Sequence, residues 1–223
     1  MSVLRRAMVL AAGRGERMRP LTAALPKPLL KVAGKALIEW HLERLARGGI
    51  REVAINTSWL GSMLTAACGD GARFGLTLRW FDEGPEPLEV AGGIINALPF
   101  FGDEPFAVVN GDVYTAYPLP PPPPTAGRLA HLVLVPNPPE HPRGDFGIEC
   151  GELRVDAPQR YTYAGIATYH PRLFAGLDRG RRKWKPLLDR AAAAGLASAE
   201  VYEGRWSDVG TPERLAALNA ELR

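Results

Sequence analysis

Short apolar runs alternate with amphipathic segments through the first half of the chain. Compact apolar runs are typical of strands buried on both faces of a sheet, and apolar residues three or four positions apart are typical of helices. The strand pattern occurs at residues 8–12, 53–55, 76–81 and 106–109, and the helix pattern at 37–46, 59–68 and 93–98. Because the two patterns alternate, they predict a parallel sheet with right-handed crossovers.

The pattern changes after residue 112. Pro118 and the run from Pro120 to Pro124 exclude a helix or a central strand, so we expect a stiff surface loop there, with a proline-motif ligand as the alternative. Strand-like runs then occupy 132–135, 146–150 and 163–169, and helical patterns occupy 187–194 and 213–222. The whole chain therefore predicts an α/β fold, a Rossmann-like three-layer sandwich around a mixed, mainly parallel central sheet.

Length and charge narrow the class of protein. The 223 residues fit a single domain over 1–223, and 46% hydrophobic content allows a sizeable core. The 27 basic and 24 acidic residues leave a net charge of +3, which is too mild a balance to indicate a nucleic-acid partner. It is compatible with a local basic pocket for a small acidic ligand.

The termini and the cysteines indicate a cytoplasmic protein. Two arginines precede the first apolar run, as in a signal peptide, but that run ends at Gly13 and is too short for one. No run approaches the length of a membrane span. Cys68 and Cys150 lack the spacing of metal ligands, and we expect both to be reduced.

A glycine-rich basic loop follows the first predicted strand and reads GRGER at residues 13–17. A dinucleotide fingerprint would need glycine at Met18, and the Lys-Ser/Thr pair of a Walker loop is absent. What remains is a turn whose small residues let backbone N–H groups approach phosphate oxygens. Arg17 adds a planar fork for phosphate, and Lys27 adds a point charge between two prolines. Ligands of parallel sheets bind at such strand ends.

Four ordered segments resemble the signature of the sugar-1-phosphate nucleotidyltransferases. They are AAGRGERMRPLT at 11–22 with PKP at 26–28, PLEVAGG at 87–93, NGD at 110–112 and WSDVGT at 206–211. Together they span almost the whole chain. The resemblance implies the nucleotide-diphospho-sugar transferase type of fold, with a nucleotide-binding part at about 1–112 and a sugar-binding part at about 113–223.

The resemblance also implies a set of site residues. Arg17, Lys27 and Asp112 are the implied catalytic residues, and Asp112 and Asp208 are the implied Mg²⁺ ligands, since both supply hard oxygens at strand ends. The implied nucleotide contacts are Ala12, Gly13, Gly15, Glu16, Arg17, Lys27, Gly92 and Gly93, and the implied sugar contacts are Asn110, Gly144, Asp145 and Gly165. Structural alternatives are an Asx turn at Asp112, an exposed turn at Asp145, and helix-start packing at Gly92 and Gly93.

Within the family, GERMRPLT at 15–22, RGDF at 143–146 and YAGI at 163–166 resemble the members that transfer UMP from UTP to N-acetylmuramic acid α-1-phosphate for peptidoglycan recycling. Two departures stand out. Glu16 replaces a common threonine, and DAP at 156–158 stands where many relatives hold the sugar phosphate with Glu-Lys-Pro, which leaves Lys27 a larger share of that task.

Other activities fit the same motifs. A mannose-1-phosphate guanylyltransferase or a glucose-1-phosphate thymidylyltransferase would keep the reaction and change the substrates. A catalytically silent nucleotide sensor is a different class, against which the presence of Arg17, Lys27, Asp112 and Asp208 argues. Among the remaining residues, we expect His41 to be packed in its helix and the run from Arg181 to Lys185 to be solvated surface.

Overall fold

The computed structural model describes residues 4–125 and 127–223. Its strands are β1 (Arg6–Leu10), β2 (Lys31–Val32), β3 (Lys35–Ala36), β4 (Glu52–Thr57), β5 (Thr77–Asp82), β6 (Phe106–Asn110), β7 (Val113–Thr115), β8 (Ala130–Val135), β9 (Gly147–Glu149), β10 (Glu152–Arg154), β11 (Thr162–Tyr169), β12 (Ala197–Val201) and β13 (Trp206–Asp208). Its α-helices are α1 (Leu37–Arg47), α2 (Gly61–Cys68), α3 (Glu89–Phe101), α4 (Lys185–Ala193) and α5 (Pro212–Glu221).

A nine-stranded sheet organises the molecule, in the order β5-β4-β1-β6-β11-β8-β12-β10-β9. β5, β4, β1 and β6 run parallel to one another. β11 is antiparallel to both β6 and β8, β12 is parallel to β8, and β10 and β9 complete an antiparallel edge. The predicted mixed, mainly parallel sheet is confirmed.

Helices cover both faces of this sheet because its buried side chains alternate along each strand. On one face Val9 and Ile55 pack in the same cluster as Leu42 of α1. On the other face Met8 packs in a cluster that includes Ile95 of α3 and further residues of α4. Helix, sheet and helix form three layers, as the sequence predicts.

The helix α3 begins four residues before the predicted start at Gly93. Glu89 has a positive φ of 64°, a conformation that side chains other than glycine seldom adopt. The N–H groups of Ala91 and Gly92 donate to the carbonyl of Arg182, at 3.1 and 3.2 Å. A local sequence signal for this start is missing because a distant segment caps the helix.

Six short strands lie where the pattern predicts none, namely β2, β3, β7, β10, β12 and β13, and β12 is the clearest case. Its sequence ASAEV alternates the small or apolar residues Ala, Ala and Val with Ser198 and Glu200 and contains no compact apolar run. It nevertheless pairs in parallel with β8 over its whole length, and Ala197 and Ala199 are buried in the sheet. Tertiary pairing here overrides a weak local preference.

The proline-rich segment is only partly a surface loop. Residues 118–125 form neither helix nor strand, as predicted, but Leu119 and Pro121 are buried. A Cβ placed on Gly48, directly after α1, would lie 2.0 Å from the carbonyl oxygen of Leu119. Glycine at position 48 therefore allows the proline-rich segment to pack against the end of α1.

A second, two-stranded sheet joins β7 to β13 in an antiparallel pair, with Asp208 opposite Val113. Beside it, Met18, Tyr114 and Val209 share a buried cluster with Leu215 and Leu218 of α5. This small sheet therefore connects the loop after β1 to the C-terminal helix.

Cys68 is buried and Cys150 is exposed, and neither forms a disulfide. Across residues 4–125 and 127–223, no helix combines the length and apolar character needed to cross a membrane.

Candidate active site

An open cavity of about 690 Å³ lies at the carboxyl ends of β1, β4 and β6. Parallel strands commonly place ligand sites at this edge. Its walls come from the loop after β1, the Asn110-Gly111-Asp112 turn, and the segment that leads into α3. Eight of the predicted site residues line it: Ala12, Gly13, Gly15, Glu16, Arg17, Lys27, Asn110 and Asp112.

The loop after β1 presents backbone donors to this cavity. Ala11 donates its N–H to the side chain of Asn56 at 2.8 Å, which fixes where the loop begins. For residues 12–17, the hydrogen bonds found in the described part of the chain include no acceptor for a backbone N–H group. A run of unpaired N–H groups beside a cavity is the arrangement that binds phosphate oxygens.

Gly15 gives this loop its shape. It has a φ of 64°, and a Cβ at this position would lie 3.0 Å from Thr22 and 3.3 Å from Lys27. Its carbonyl accepts a hydrogen bond of 2.7 Å from the Thr22 hydroxyl. Both the left-handed backbone and the close approach require glycine, so the loop can fold directly over Lys27.

Lys27 is buried except for its reach into the cavity, with 7% of its surface exposed. Its Nζ atom forms an ion pair of 2.7 Å with Oδ2 of Asp112. Lys27 starts a short 3₁₀ turn after Pro26, and the turn that holds Asp112 is fixed by the N–H of Gly111, which donates to Leu10 at 2.9 Å. The structure thus joins two predicted catalytic residues that are 85 positions apart.

The β7–β13 pair brings Asp208 beside Asp112, and the N–H of Val209 donates to the carbonyl of Asp112 at 3.0 Å. Asp208 itself is not among the residues that line the cavity, whereas Gly210, two positions further along the chain, is. Burial raises the pKa of Asp208, and the charge of Asp112 adds to this, while the charges of Lys27 and Arg214 oppose it. Two carboxylates that raise each other's energy are suited to share a cation.

Asp112 and Asp208 suit a magnesium ion that is also bound by substrate phosphates. Oδ1 of Asp208 is buried and has no hydrogen-bond partner among the described residues. Residues 4–125 and 127–223 contain no group of three or more His, Cys, Asp and Glu side chains arranged so that they could hold a metal ion by themselves. Mg²⁺ is commonly held by one or two carboxylates together with substrate phosphates, so an Asp pair beside a phosphate-binding loop suits it.

Asn56 and Glu83 organise the opposite wall of the cavity, and neither residue is among those that the sequence motifs predict for the site. Asn56 donates to Oε1 of Glu83 at 2.7 Å, and Oε2 of Glu83 accepts from the N–H of Leu88 at 2.7 Å. Burial raises the pKa of Glu83, although both hydrogen bonds lower it. A polar residue at the end of a buried strand, as at position 56, is the signal that could have revealed this pair.

Gly92 and Gly93 occupy packing positions and do not line the cavity. A Cβ on Gly92 would lie 2.3 Å from the carbonyl of Gly180, and one on Gly93 would lie 2.5 Å from Glu83. The geometry therefore favours the alternative reading, helix-start packing, for both glycines.

The predicted sugar contacts divide into two groups. Asn110 lines the cavity, and Gly165 lies directly against it, since a Cβ on Gly165 would be 2.7 Å from Asn110. Gly144 and Asp145 lie outside the cavity lining. Asp145 accepts from the N–H of Tyr163 at 2.8 Å, so its carboxylate supports the start of β11.

Two further arginines border the cavity. Arg14 donates to the carbonyl of Pro85 at 2.6 Å, across the mouth, and Arg181 forms an ion pair of 2.9 Å with Glu89. The expectation that Arg181 belongs to a solvated surface was incomplete: its side chain is 70% exposed, yet it lines the cavity. Its position depends on the distant contact between residue 182 and α3, which no local pattern indicates.

This fold, with a phosphate-binding loop and paired carboxylates at one edge of the sheet, is typical of proteins that bind nucleotides. The family model described as "Nucleotidyl transferase" matches residues 6–223, so the chain belongs to the nucleotidyl transferase family.

Two relatives cover nearly the whole chain. An N-acetylmuramate alpha-1-phosphate uridylyltransferase of Neisseria meningitidis is 44% identical over 224 residues, which cover 96% of this chain and 97% of the relative. A protein of the same name from Caulobacter vibrioides is 32% identical and covers 97% of this chain and 96% of the relative.

Solved structures share the fold at low sequence identity. A Bacillus anthracis protein in complex with sucrose matches with a TM-score of 0.84 at 21% identity, covering 99% of this chain and 95% of that one. The inositol-1-phosphate CTP transferase of T. maritima matches with a TM-score of 0.75 at 16% identity, covering 99% and 97%. The predicted nucleotide-diphospho-sugar transferase type of fold is confirmed.

Proposed function

We propose that this nucleotidyltransferase transfers UMP from UTP to N-acetylmuramic acid α-1-phosphate, giving UDP-N-acetylmuramic acid and pyrophosphate. The observation that carries the reaction type is the meeting of the N–H groups of residues 12–17 with Lys27 and Asp112 in one cavity. The choice of substrates rests on the 44% identity to the Neisseria protein of that name. A role in peptidoglycan recycling in the cytoplasm follows from this choice.

In this proposal the two substrates contact different parts of the chain. The N–H groups of residues 12–17 and the wall formed by Asn56 and Glu83 both belong to residues 1–112, the proposed nucleotide-binding part. Asn110 ends β6, and Gly165 belongs to β11, so the sugar would lie toward residues 113–223. β6 and β11 are neighbours in the sheet, which supports a reaction at the boundary between the proposed halves.

The reaction joins two anions, so the protein's main task is to position them and neutralise their charge. A phosphate oxygen of the sugar phosphate attacks the α-phosphorus of UTP, a new P–O bond forms, and the bond to the β-phosphate breaks. Pyrophosphate leaves with the electron pair. Donors that are already in place when charge moves provide the largest part of such catalysis.

Lys27 is placed to act between the two substrates. Its Nζ atom is held 2.7 Å from Asp112 by a buried stem, so little rotational freedom is lost when it contacts a phosphate. Arg17 is exposed at the cavity, where its planar fork would hold the departing pyrophosphate.

Asp112 and Asp208 would hold a Mg²⁺ ion. When bound, the ion supplies positive charge that neutralises the phosphate oxygens and the developing charge on the leaving group. The ion pair with Lys27 keeps Asp112 oriented toward the cavity. The pair of carboxylates is therefore pre-positioned rather than assembled by the substrate.

A competition experiment tests the substrates. N-acetylmuramic acid α-1-phosphate, N-acetylglucosamine-1-phosphate and mannose-1-phosphate are each offered with UTP and with GTP, and pyrophosphate release is measured. We expect the highest kcat/KM for UTP with the muramic acid derivative, because a buried site built for particular polar groups rejects substrates that lack them. A preference for mannose-1-phosphate with GTP would contradict the substrates and leave the reaction type standing.

A further inference from the structure

Arg214 connects the metal carboxylate to a loop on the sugar side. Its NH1 atom lies 3.0 Å from Oδ2 of Asp208 and also 3.0 Å from Oε1 of Glu140. Arg214 is the third residue of α5, after Thr211, whose side chain accepts from the N–H of Arg214 at 3.4 Å. A cation is unfavourable at the N-terminus of a helix, so the two carboxylates are what stabilise it there.

Gly210 provides the space for this contact. A Cβ at position 210 would lie 2.9 Å from NH1 of Arg214 and 3.1 and 3.2 Å from the two carboxylate oxygens of Asp208. The side chain of Arg214 is 24% exposed and that of Asp208 is 31% exposed. The ion pair is therefore shielded from bulk water, where such pairs would be worth little.

The two carboxylate oxygens of Asp208 differ in their hydrogen bonding. Oδ2 accepts a hydrogen bond from Arg214 at 3.0 Å, while Oδ1 is buried and has no hydrogen-bond partner in the described part of the chain. A carboxylate held through one oxygen cannot rotate freely about its last bond. Oδ1 therefore stays in one orientation, which is the usual effect of a hydrogen bond to a metal ligand.

Glu140 brings the sugar-side loop into the same network. The loop of residues 137–146 is held by Asn137, which donates to the carbonyls of Pro142 and Arg160 at 3.1 and 3.0 Å. Because Glu140 shares the NH1 atom of Arg214 with Asp208, a movement of this loop changes how tightly Asp208 is held. The loop that contains Gly144 and Asp145 would then act on the metal site rather than on the sugar directly.

We propose that Arg214 is a positioning residue: it fixes Asp208 with Oδ1 available for the metal ion and connects the metal site to the loop of residues 137–146 through Glu140. The inference rests on the proposed function, because it assigns Asp208 as a metal ligand. It goes beyond that function by assigning a task to Arg214 and Glu140.

Mn²⁺ binding to the full chain tests this without turnover. Mn²⁺ is titrated and the unbound ion is followed by electron paramagnetic resonance, for the native protein and for Arg214→Met, Arg214→Lys, Glu140→Gln and Asp208→Asn. Arg205→Met is the matched control, since Arg205 forms an ion pair of 3.1 Å with Glu221 of the same helix but does not contact Asp208. Melting temperatures establish which variants fold.

We expect Arg214→Met to raise the Kd for Mn²⁺ by about 10- to 100-fold, as substitutions of other residues that hydrogen-bond to metal ligands do. Arg214→Lys should restore part of the affinity, Glu140→Gln should weaken it less than Arg214→Met, and Arg205→Met should leave it unchanged. If Arg214→Met does not fold, the lysine and glutamine variants carry the test, and wild-type affinity in both would overturn the proposal.

Two other results are decisive. A wild-type Kd in folded Arg214→Met, or an equal loss in Arg205→Met, would overturn the role of Arg214 and leave the metal site intact. Native protein that does not bind Mn²⁺, or binds it equally well after Asp208→Asn, would contradict the proposed metal site itself.

Discussion

The phosphate side and the sugar side of the cavity are built in different ways. On the phosphate side, Lys27 and Asp112 already meet at 2.7 Å, and the N–H groups of residues 12–17, which line the cavity, have no acceptor within residues 4–125 and 127–223. On the sugar side, the polar atoms of Asp145 are occupied by Tyr163 and His141. The N–H groups without acceptors indicate ligand binding, whereas the two internal partners of the Asp145 carboxylate indicate support of the fold.

This contrast predicts the largest effect at Asp112. Asp112→Asn should lower kcat by on the order of 10³-fold, because it removes a charge that acts on the reacting phosphates. Steady-state kinetics with saturating Mg²⁺ measure it, and circular dichroism shows whether the fold is kept. Asp156→Asn, at an exposed carboxylate away from the cavity, is the matched control. Full activity in the Asp112 variant would end the assignment of a metal ligand at this position.

A somewhat smaller loss is expected at Lys27. Lys27→Met keeps most of the buried stem and removes the charge, and we expect kcat to fall by on the order of 10²-fold with every substrate pair. The exposed Lys31→Met provides the comparison. A change confined to KM for the sugar phosphate would mean that Lys27 only binds the acceptor.

Arg17 tests whether geometry or charge matters at the loop. Arg17→Lys keeps the charge but loses the planar fork, and we expect a fall of about 10-fold in kcat/KM, the size of one lost hydrogen bond to a charged group. Arg19→Lys, two positions along the chain and outside the cavity lining, should behave as wild type. Equal activity of both variants would show that Arg17 contributes only diffuse charge.

Asp145 tests the sugar side. Asp145→Ala leaves the buried N–H of Tyr163 without its acceptor and should lower the free energy of unfolding by about 1–3 kcal/mol. Asp145→Asn retains an acceptor and should be close to wild type in a urea titration. A stable Asp145→Asn variant should also keep the KM for the sugar phosphate. A raised KM would mean that Asp145 contacts the sugar, and the contrast between the two sides would fail.

Replacing Asp208 should change the stability of the fold in the opposite direction to Asp145→Ala. Its pKa is raised in the folded protein, mainly by burial, so the folded state binds protons more readily than the unfolded chain. Stability then decreases as the pH rises through the interval between the unfolded pKa and this raised value. In a metal-free buffer at pH 7, Asp208→Asn should raise the melting temperature slightly, and at a pH below about 3.9, the ordinary pKa of aspartate, the gain should disappear. A lower melting temperature at pH 7 would contradict the burial argument.

The residues that line the cavity after β1 could be predicted from the sequence because their signals are local. A strand followed by GRGER, and a lysine between two prolines, restrict the backbone within a few residues. The alternation of strands and helices likewise predicted the parallel half of the sheet. Asp112 and Lys27 are 85 positions apart, so no local signal predicts their ion pair. Their proximity follows from the sheet, because Asp112 comes after β6, Lys27 lies in the segment after β1, and these parallel strands end at the same edge.

The remaining features depend on contacts between distant segments. β12 is a strand because β8 lies beside it, and α3 starts at Glu89 because Arg182 caps it. Arg181 enters the cavity for the same reason. Such contacts have no signature within a short window of sequence, and the same holds for the contact between Arg214 and Asp208.

The late position of Arg182 in the chain determines when the cavity can be completed during synthesis on the ribosome. It holds the N–H groups of Ala91 and Gly92, and Arg181 beside it completes the cavity wall. Chains emerge from the N-terminus at roughly 5–20 residues per second, so the loop of residues 12–17 is made about 10 to 30 seconds before residue 182 follows. A nascent chain can therefore fold its phosphate loop early, but it cannot close the nucleotide site until most of the protein has been made.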